Sequence, residues 1–288
     1  MKYGKSAAGV IASAAMLVAV SAPAQEPVRE IVNISDDLYR GIDNAHRTVF
    51  LVTDEGIILT DPINLEYAQW LKAELDERFD VPVRYVLYSH YHDDHASGGD
   101  VFAETATFVG HENMIPNLAA EAGNEVFQHV RPPDITYSDR MSVTLGGRTV
   151  EMIHSPPSHS NDSSIIRFPD ERLIFAVDWV NVRRVPFQDL GGGPVGPWID
   201  ANRHLQATVD YDVVAPGHGP IGSKADVDHS TQYLVDLLAA VRAGIEAGQS
   251  LEEMQETIQM EDYSDYAQRD AWMQMNIQGA YQGEMANR

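Results

Sequence analysis

The stretch SHYHDDHASGG, Ser89 to Gly99, narrows what this chain can become more than any other. Its core, HYHDDH, sets three histidines and two aspartates in six residues, directly after the apolar run VRYVL, Val83 to Leu87. Solubility does not call for that composition, because lysine or glutamate serves a surface better. A core disfavours it, since each buried imidazole needs a hydrogen-bond partner. Metal ligation is the use that needs those residue types so close together. The preceding strand constrains the fold as well, because ligand sites of α/β sheets lie beyond the carboxyl ends of strands.

His90 and His92 are two apart, so on an extended segment leaving a strand they point the same way. Asp94 and His95 follow where the loop turns, and aim at a second point nearby. Neutral imidazoles with carboxylates suit zinc or a similar divalent metal. One pair per cation leaves each cation short of donors, so further His or Asp residues are expected at other strand ends. His159 lies in PPSHSND between two strand-like runs, Asp178 ends LIFAVD, and His218 sits in APGHGP after the short strand Val213 to Ala215. The other histidines, His46, His111, His129, His154, His204 and His229, show no such pattern and read as surface or packing residues.

This order, a strand ending in Asp61, then HYHDDH, then His159, Asp178 and His218, resembles the metallo-β-lactamase superfamily across roughly Leu51 to Pro220. The resemblance implies a first metal held by His90, His92 and His159. It implies a second held by Asp94, His95 and His218, with Asp178 bridging and Asp61 orienting the cluster loop. The implied cofactors are two Zn2+ per chain, and the implied nucleophile is a hydroxide between them that attacks a carbonyl of a small-molecule substrate. Asp94 is the implied catalytic carboxylate, orienting that nucleophile and accepting its proton. With no cysteine in the chain, a thiol mechanism is impossible.

For substrate, β-lactams are the first candidate. The segment from His159 to Asp178 resembles the stretch that, in one group of exported lactamases, ends in a zinc-ligating cysteine. Asp178 stands in that place, and with His95 it matches instead the wider hydrolases, thioesterases of the glyoxalase II kind and lactonases. Those lactamases hold the substrate carboxylate with a lysine shortly afterwards. Here Asn181 follows, with Arg183 and Arg184 as candidate carboxylate clamps or as a solvent-facing pair. A periplasmic metal-binding accessory protein without turnover is the alternative of another class, and the complete ligand set argues against it, since storage needs no open coordination position.

Around the site, HRTVFLVT (His46 to Thr53) and GIILT (Gly56 to Thr60) read as strands, and Leu65 to Phe79 has helical spacing of its apolar residues. Met141 to Leu145, Thr149 to Ile153, Ser164 to Phe168 and Leu173 to Val177 read as further strands, and Asp200 to Val209 as a helix. Two strand-rich halves with helices outside predict an α/β fold, an αββα sandwich of two mixed β-sheets with helices on the outer faces. Helical segments from Thr231 onward are expected to pack on it, and Gly191 to Pro197 (GGGPVGP) to form a mobile surface loop.

The basic start MKYGK, an apolar run from Ala7 to Ala22 and the small-x-small Ala22-Pro23-Ala24 read as a cleavable signal peptide, residues 1–24, ahead of the folded domain, residues 25–288. The run is shorter than the roughly 20 residues of a membrane span. A periplasmic or secreted bacterial location follows, with no membrane association after cleavage. Forty-three acidic against 20 basic residues, a formal charge of −23, argue against nucleic acid as a partner.

Overall fold

The computed structural model of the 288-residue chain describes Met1 and residues 27–286, so the signal-peptide reading lies outside the described residues. Two sheets face each other. The first runs β1 (Arg29–Ser35), β2 (Leu38–Asp43), β3 (His46–Thr53), β4 (Gly56–Leu59), β5 (Val83–Leu87), β6 (Thr107–His111) and β7 (Ile135–Tyr137) in spatial order. Its pairs are antiparallel as far as β4 and parallel beyond. The second holds β8 (Arg140–Leu145), β9 (Arg148–His154), β10 (Ser164–Phe168), β11 (Leu173–Ala176), β12 (Val213–Pro216) and β13 (Gly222–Ser223). Only its β11–β12 pair is parallel.

Strand alternation divides the apolar residues between three layers. Val49, Leu51 and Ile58 of the first sheet meet Val150, Met152, Ile166 and Phe175 of the second in the central core. Their neighbours Phe50, Ile57 and Leu59 point the other way, against α1 (Leu65–Arg78) through Tyr67, Ala68, Leu71 and Leu75, in a cluster that Met114 of α3 (Met114–Ala120) joins. On the far side, Ile153, Ile165, Ile174 and Val214 pack under α4 (Gly196–Thr208), α5 (Lys224–Glu246) and α7 (Arg269–Ala286). Each such buried aliphatic side chain contributes roughly 1.5–3 kcal/mol. The result is the αββα sandwich, with α6 (Leu251–Thr257) joining the C-terminal helices on the second sheet's face. Among the described residues, no helix is long and apolar enough to cross a membrane.

The glycine-rich stretch ends in a helix. Gly196 and Pro197 already belong to the first turn of α4, where proline's fixed φ and missing N–H fit a helix start. The preceding residues are clasped by α7. A Cβ on Gly283 would stand 2.7 Å from the Pro194 Cα, so the bare backbone of that helix is what admits the loop. The loop thus packs closely against a helix remote in sequence.

Candidate metal centre

Strands end at one rim of the sandwich, and their first residues beyond the sheet carry the polar groups. Asp61 comes two residues after β4, His90 three after β5, Asp178 two after β11 and His218 two after β12; His159 lies in the loop between β9 and β10. His92 precedes the short helix α2 (Asp93–Ala96), which presents Asp94 and His95. Asp178 sits at φ 68, in the left-handed region that aspartate tolerates better than most residues. Gly217 lets the His218 turn approach, since a Cβ there would lie 3.0 Å from His95 Cε1.

The donors form two groups sharing one carboxylate. His92 Nδ1 lies 3.0 Å from His90 Nε2 and 2.9 Å from His159 Nε2. Asp178 Oδ2 is 3.4 Å from His90 Nε2 and 3.2 Å from His159 Nε2. On the other side, Asp178 Oδ1 is 3.4 Å from His95 Nε2 and 3.1 Å from His218 Nε2, and those two nitrogens are 3.2 Å apart. Asp94 Oδ2 stands 3.6 Å from His95 Nε2. Each oxygen of Asp178 therefore addresses a different group.

Three ring nitrogens pointing at one another cannot all be satisfied by hydrogen bonds, because neutral imidazole has one donor and one acceptor. A cation between them resolves the arrangement. Ligands with roughly 2.0–2.1 Å bonds at tetrahedral angles stand about 3.3–3.4 Å apart, close to the spacings here. The buried Asp178 Oδ1 has no hydrogen-bond partner among the described residues, as expected of an oxygen that faces a metal. Burial, with His90 and His159 beside it, lowers the His92 imidazole to about 2, so it stays neutral and able to ligate. Burial opposes charge on Asp178, but His95 and His159 outweigh it and hold the carboxyl well below the usual range. The residues fit two divalent cations, His90, His92, His159 and Asp178 around one and His95, His218 and Asp178 around the other, with Asp94 beside the second group.

Beneath the site the outward nitrogens are fixed from behind. Asp61, fully buried, accepts from the Ser89 backbone N–H at 2.7 Å and from its hydroxyl at 2.6 Å. Ser89 Oγ is also 2.9 Å from His90 Nδ1, and Asp61 Oδ2 is 3.4 Å from His95 Nδ1. The loop bearing His159 rests on a stacked pair, His111 and His154, whose ring centroids are 3.8 Å apart. His154 Nε2 donates to the Asn161 carbonyl at 3.0 Å. Those two histidines are packing residues, as their lack of pattern suggested.

Above the two donor groups opens a cavity of about 610 Å³. His46, His92, Asp94, His159, Asp178 and His218 form its floor, and Phe187, Trp198 and Trp272 its walls. Arg184 enters it beside Asn181, its guanidinium 4.8 Å from the centroid of the Trp272 ring. Burial lowers the Arg184 pKa from its ordinary value, while Asp178 pulls it up. Arg183 does not line the cavity; exposed and at φ 48, it pairs with Asp265. Neighbours in sequence thus diverge in role, because the left-handed turn at Arg183 sends the two side chains apart.

The sequence reading missed His46, which carries no motif. Its Nε2 lies 3.3 Å from Asp94 Oδ2, and its ring centroid is 4.7 Å from that of His218. Only the pairing of β2 with β3, which carries the turn between them to the rim, could have revealed it. Trp272 and Gln268 were equally silent, because nothing local ties α7 to a rim far back in the chain.

The family model of the metallo-beta-lactamase superfamily matches residues 44–218, which include every donor named above. This chain belongs to that superfamily. Its superfamily relatives vary in named activity. The alpha subunit of 2,4-dinitroanisole O-demethylase from Nocardioides sp. (strain JS1661) is 26% identical over 201 residues, 67% of this chain and 56% of that one. A linear primary-alkylsulfatase from Pseudomonas sp. (strain ATCC 19151) is 21% identical over 240 residues, 65% and 44% of the two chains. The chain thus spans about half the length of these curated relatives. Solved structures share the superfamily fold. A metallo-beta-lactamase from Pontibacter korlensis aligns over 72% of this chain and 99% of its own, TM-score 0.63, 22% identity. The stereoselective inverting sec-alkylsulfatase Pisa1 from Pseudomonas sp. aligns over 90% and 52%, TM-score 0.72, 13% identity.

Proposed function

We propose that this protein is a binuclear zinc hydrolase acting on a small molecule with an apolar body and an ester-type group to be cleaved. The carrying observation is the Asp178 carboxylate, one oxygen turned to each of two imidazole groups at the floor of a cavity. Two Zn2+ held there would supply Lewis acidity, easing deprotonation of water near neutral pH and polarising the scissile group.

The chain's own residues do the rest. Asp94, half-exposed on the cavity floor, is placed to orient the attacking water and take its proton. Phe187, Trp198 and Trp272 exclude solvent and hold an alkyl or aryl body. Arg184 and Asn181 anchor an anionic or carbonyl oxygen at the wall. Relatives named for an aryl methyl ether and for alkyl sulfates support a substrate of that build. A β-lactam is the second reading, supported by Arg184, a cation on the cavity wall that would pair with a substrate carboxylate. The exported-type start, residues 1–24, supports action in the periplasm or outside the cell.

The test is hydrolysis of p-nitrophenyl sulfate, p-nitrophenyl butyrate and a chromogenic cephalosporin by zinc-loaded protein, each beside a chelator-treated control. Chelator-sensitive release from the sulfate or the butyrate supports the first reading, and from the cephalosporin alone the second. Protein carrying two zinc ions that cleaves none of them, nor thioesters or lactones, returns the chain to the class of non-catalytic metal binders.

A further inference from the structure

His46 lies outside the ligand pattern of the sequence motif, yet the turn that carries it is laced to the turn of His218. Arg40, buried on β2, donates to the carbonyl oxygens of Pro216 at 3.0 Å and Gly219 at 2.8 Å. His218 Nδ1 donates to the Ala45 carbonyl at 3.0 Å, which leaves its Nε2 lone pair facing the site. His46 and His218 also form an antiparallel backbone bridge. Asn44 makes the bend at φ 52, and Arg47 Nη1 closes it by donating to the carbonyls of Asn44 at 2.6 Å and His46 at 2.7 Å. A turn held this firmly presents the His46 ring in one place.

That place is among donors. His46 Nε2, Asp94 and His218 each offer a ligand atom, all within 4.8 Å of one another. The 3.3 Å from His46 Nε2 to Asp94 Oδ2 is long for a charge-assisted hydrogen bond, which settles at roughly 2.7–2.9 Å. It matches instead the spacing between donors that share a cation elsewhere here, such as 3.2 Å between His95 Nε2 and His218 Nε2. We propose that His46 is a further protein ligand of the second cation, coordinating through Nε2 beside Asp94 and His218. The assignment rests on the two-metal reading above and goes beyond it.

The test uses the full chain with Co2+ in place of zinc, comparing wild type with His46→Ala and His46→Gln by visible absorption and chelator competition. The glutamine can still donate an N–H to Asp94, so it separates ligation from hydrogen bonding. In both variants the first equivalent should bind with unchanged spectrum, which also reports a folded site. The second should weaken by more than ~100-fold, beyond the usual loss for a group behind a ligand, with altered bands that added imidazole restores in His46→Ala. A second equivalent bound to His46→Gln with wild-type affinity and spectrum overturns the assignment while leaving two metals in place. Wild-type protein that binds no Co2+ overturns the two-metal reading along with it.

Discussion

Asp61 holds Ser89 twice, accepting its backbone N–H at 2.7 Å and its hydroxyl at 2.6 Å, in a position with no solvent exposure. The pair ties the end of β4 to the start of the metal-binding loop. Asp61→Ala leaves the two Ser89 donors without their acceptor, at about 1–3 kcal/mol for each donor that water does not reach. Urea unfolding should show a loss of several kcal/mol, and zinc affinity should fall by roughly 10–100-fold. Unchanged affinity would mean that Asp61 does not orient the loop.

Asp178→Asn keeps the shape and tolerates the left-handed backbone, and removes only the charge that four imidazoles share. Zinc content should drop below two per chain, and turnover on the order of 10³-fold or more, as for residues acting as one unit. Metal analysis after dialysis decides it; two zinc ions retained would remove Asp178 from its bridging place.

Trp272→Ala takes away one aromatic wall and the ring under Arg184. For a substrate with an alkyl or aryl body, KM should rise by about 10-fold, from the roughly 1–2 kcal/mol of lost apolar contact, while kcat and zinc content change little. Steady-state kinetics on substrates of graded chain length checks this, and an equal loss across lengths would show that Trp272 does not touch the apolar body.

Gly279 on α7 leaves no space for a side chain: a Cβ there would lie 2.6 Å from the Asp189 carbonyl carbon, which is backbone and cannot swing aside. Gly279→Ala should cost about 1–3 kcal/mol. Because Asp189 and Gly191 border the cavity, KM should shift with the melting temperature. A variant as stable as wild type would show that loop and helix separate freely.

The Asp226 carboxylate, accepting from the Ser223 hydroxyl and N–H at the start of α5, has its pKa lowered by those bonds. A lowered carboxyl pKa gives stability that is present above the ordinary aspartate value and fades as pH falls through the folded one. Asp226→Asn should therefore cost about 1 kcal/mol at pH 7 and much less near pH 3. Chemical unfolding at both values measures it; an equal cost at both would deny the charge a part.

Much of this was legible because the chemistry is local. HYHDDH announces a donor cluster by density, and His159, Asp178 and His218, which the fold brings to it, announce themselves by following apolar strands. The sandwich followed from strand periodicity in both halves. His46 was not legible, since one histidine at a hairpin turn looks like any surface residue until β2 and β3 carry it to the rim. Arg183 and Arg184 looked equivalent until a left-handed φ parted them. The packing of the glycine run was not legible for a related reason, as its partners Gly279 and Gly283 on α7 come about 90 residues later.

That helix has a consequence for how the molecule can change. All the donors lie between His46 and His218, whereas Trp272 and Gln268 of the cavity border come from the C-terminal region. During synthesis the reactive centre is complete in the nascent chain before part of its wall exists. In descent, the same separation lets the C-terminal segment be exchanged or redrawn, retuning which molecules are admitted, while the reaction machinery is inherited intact.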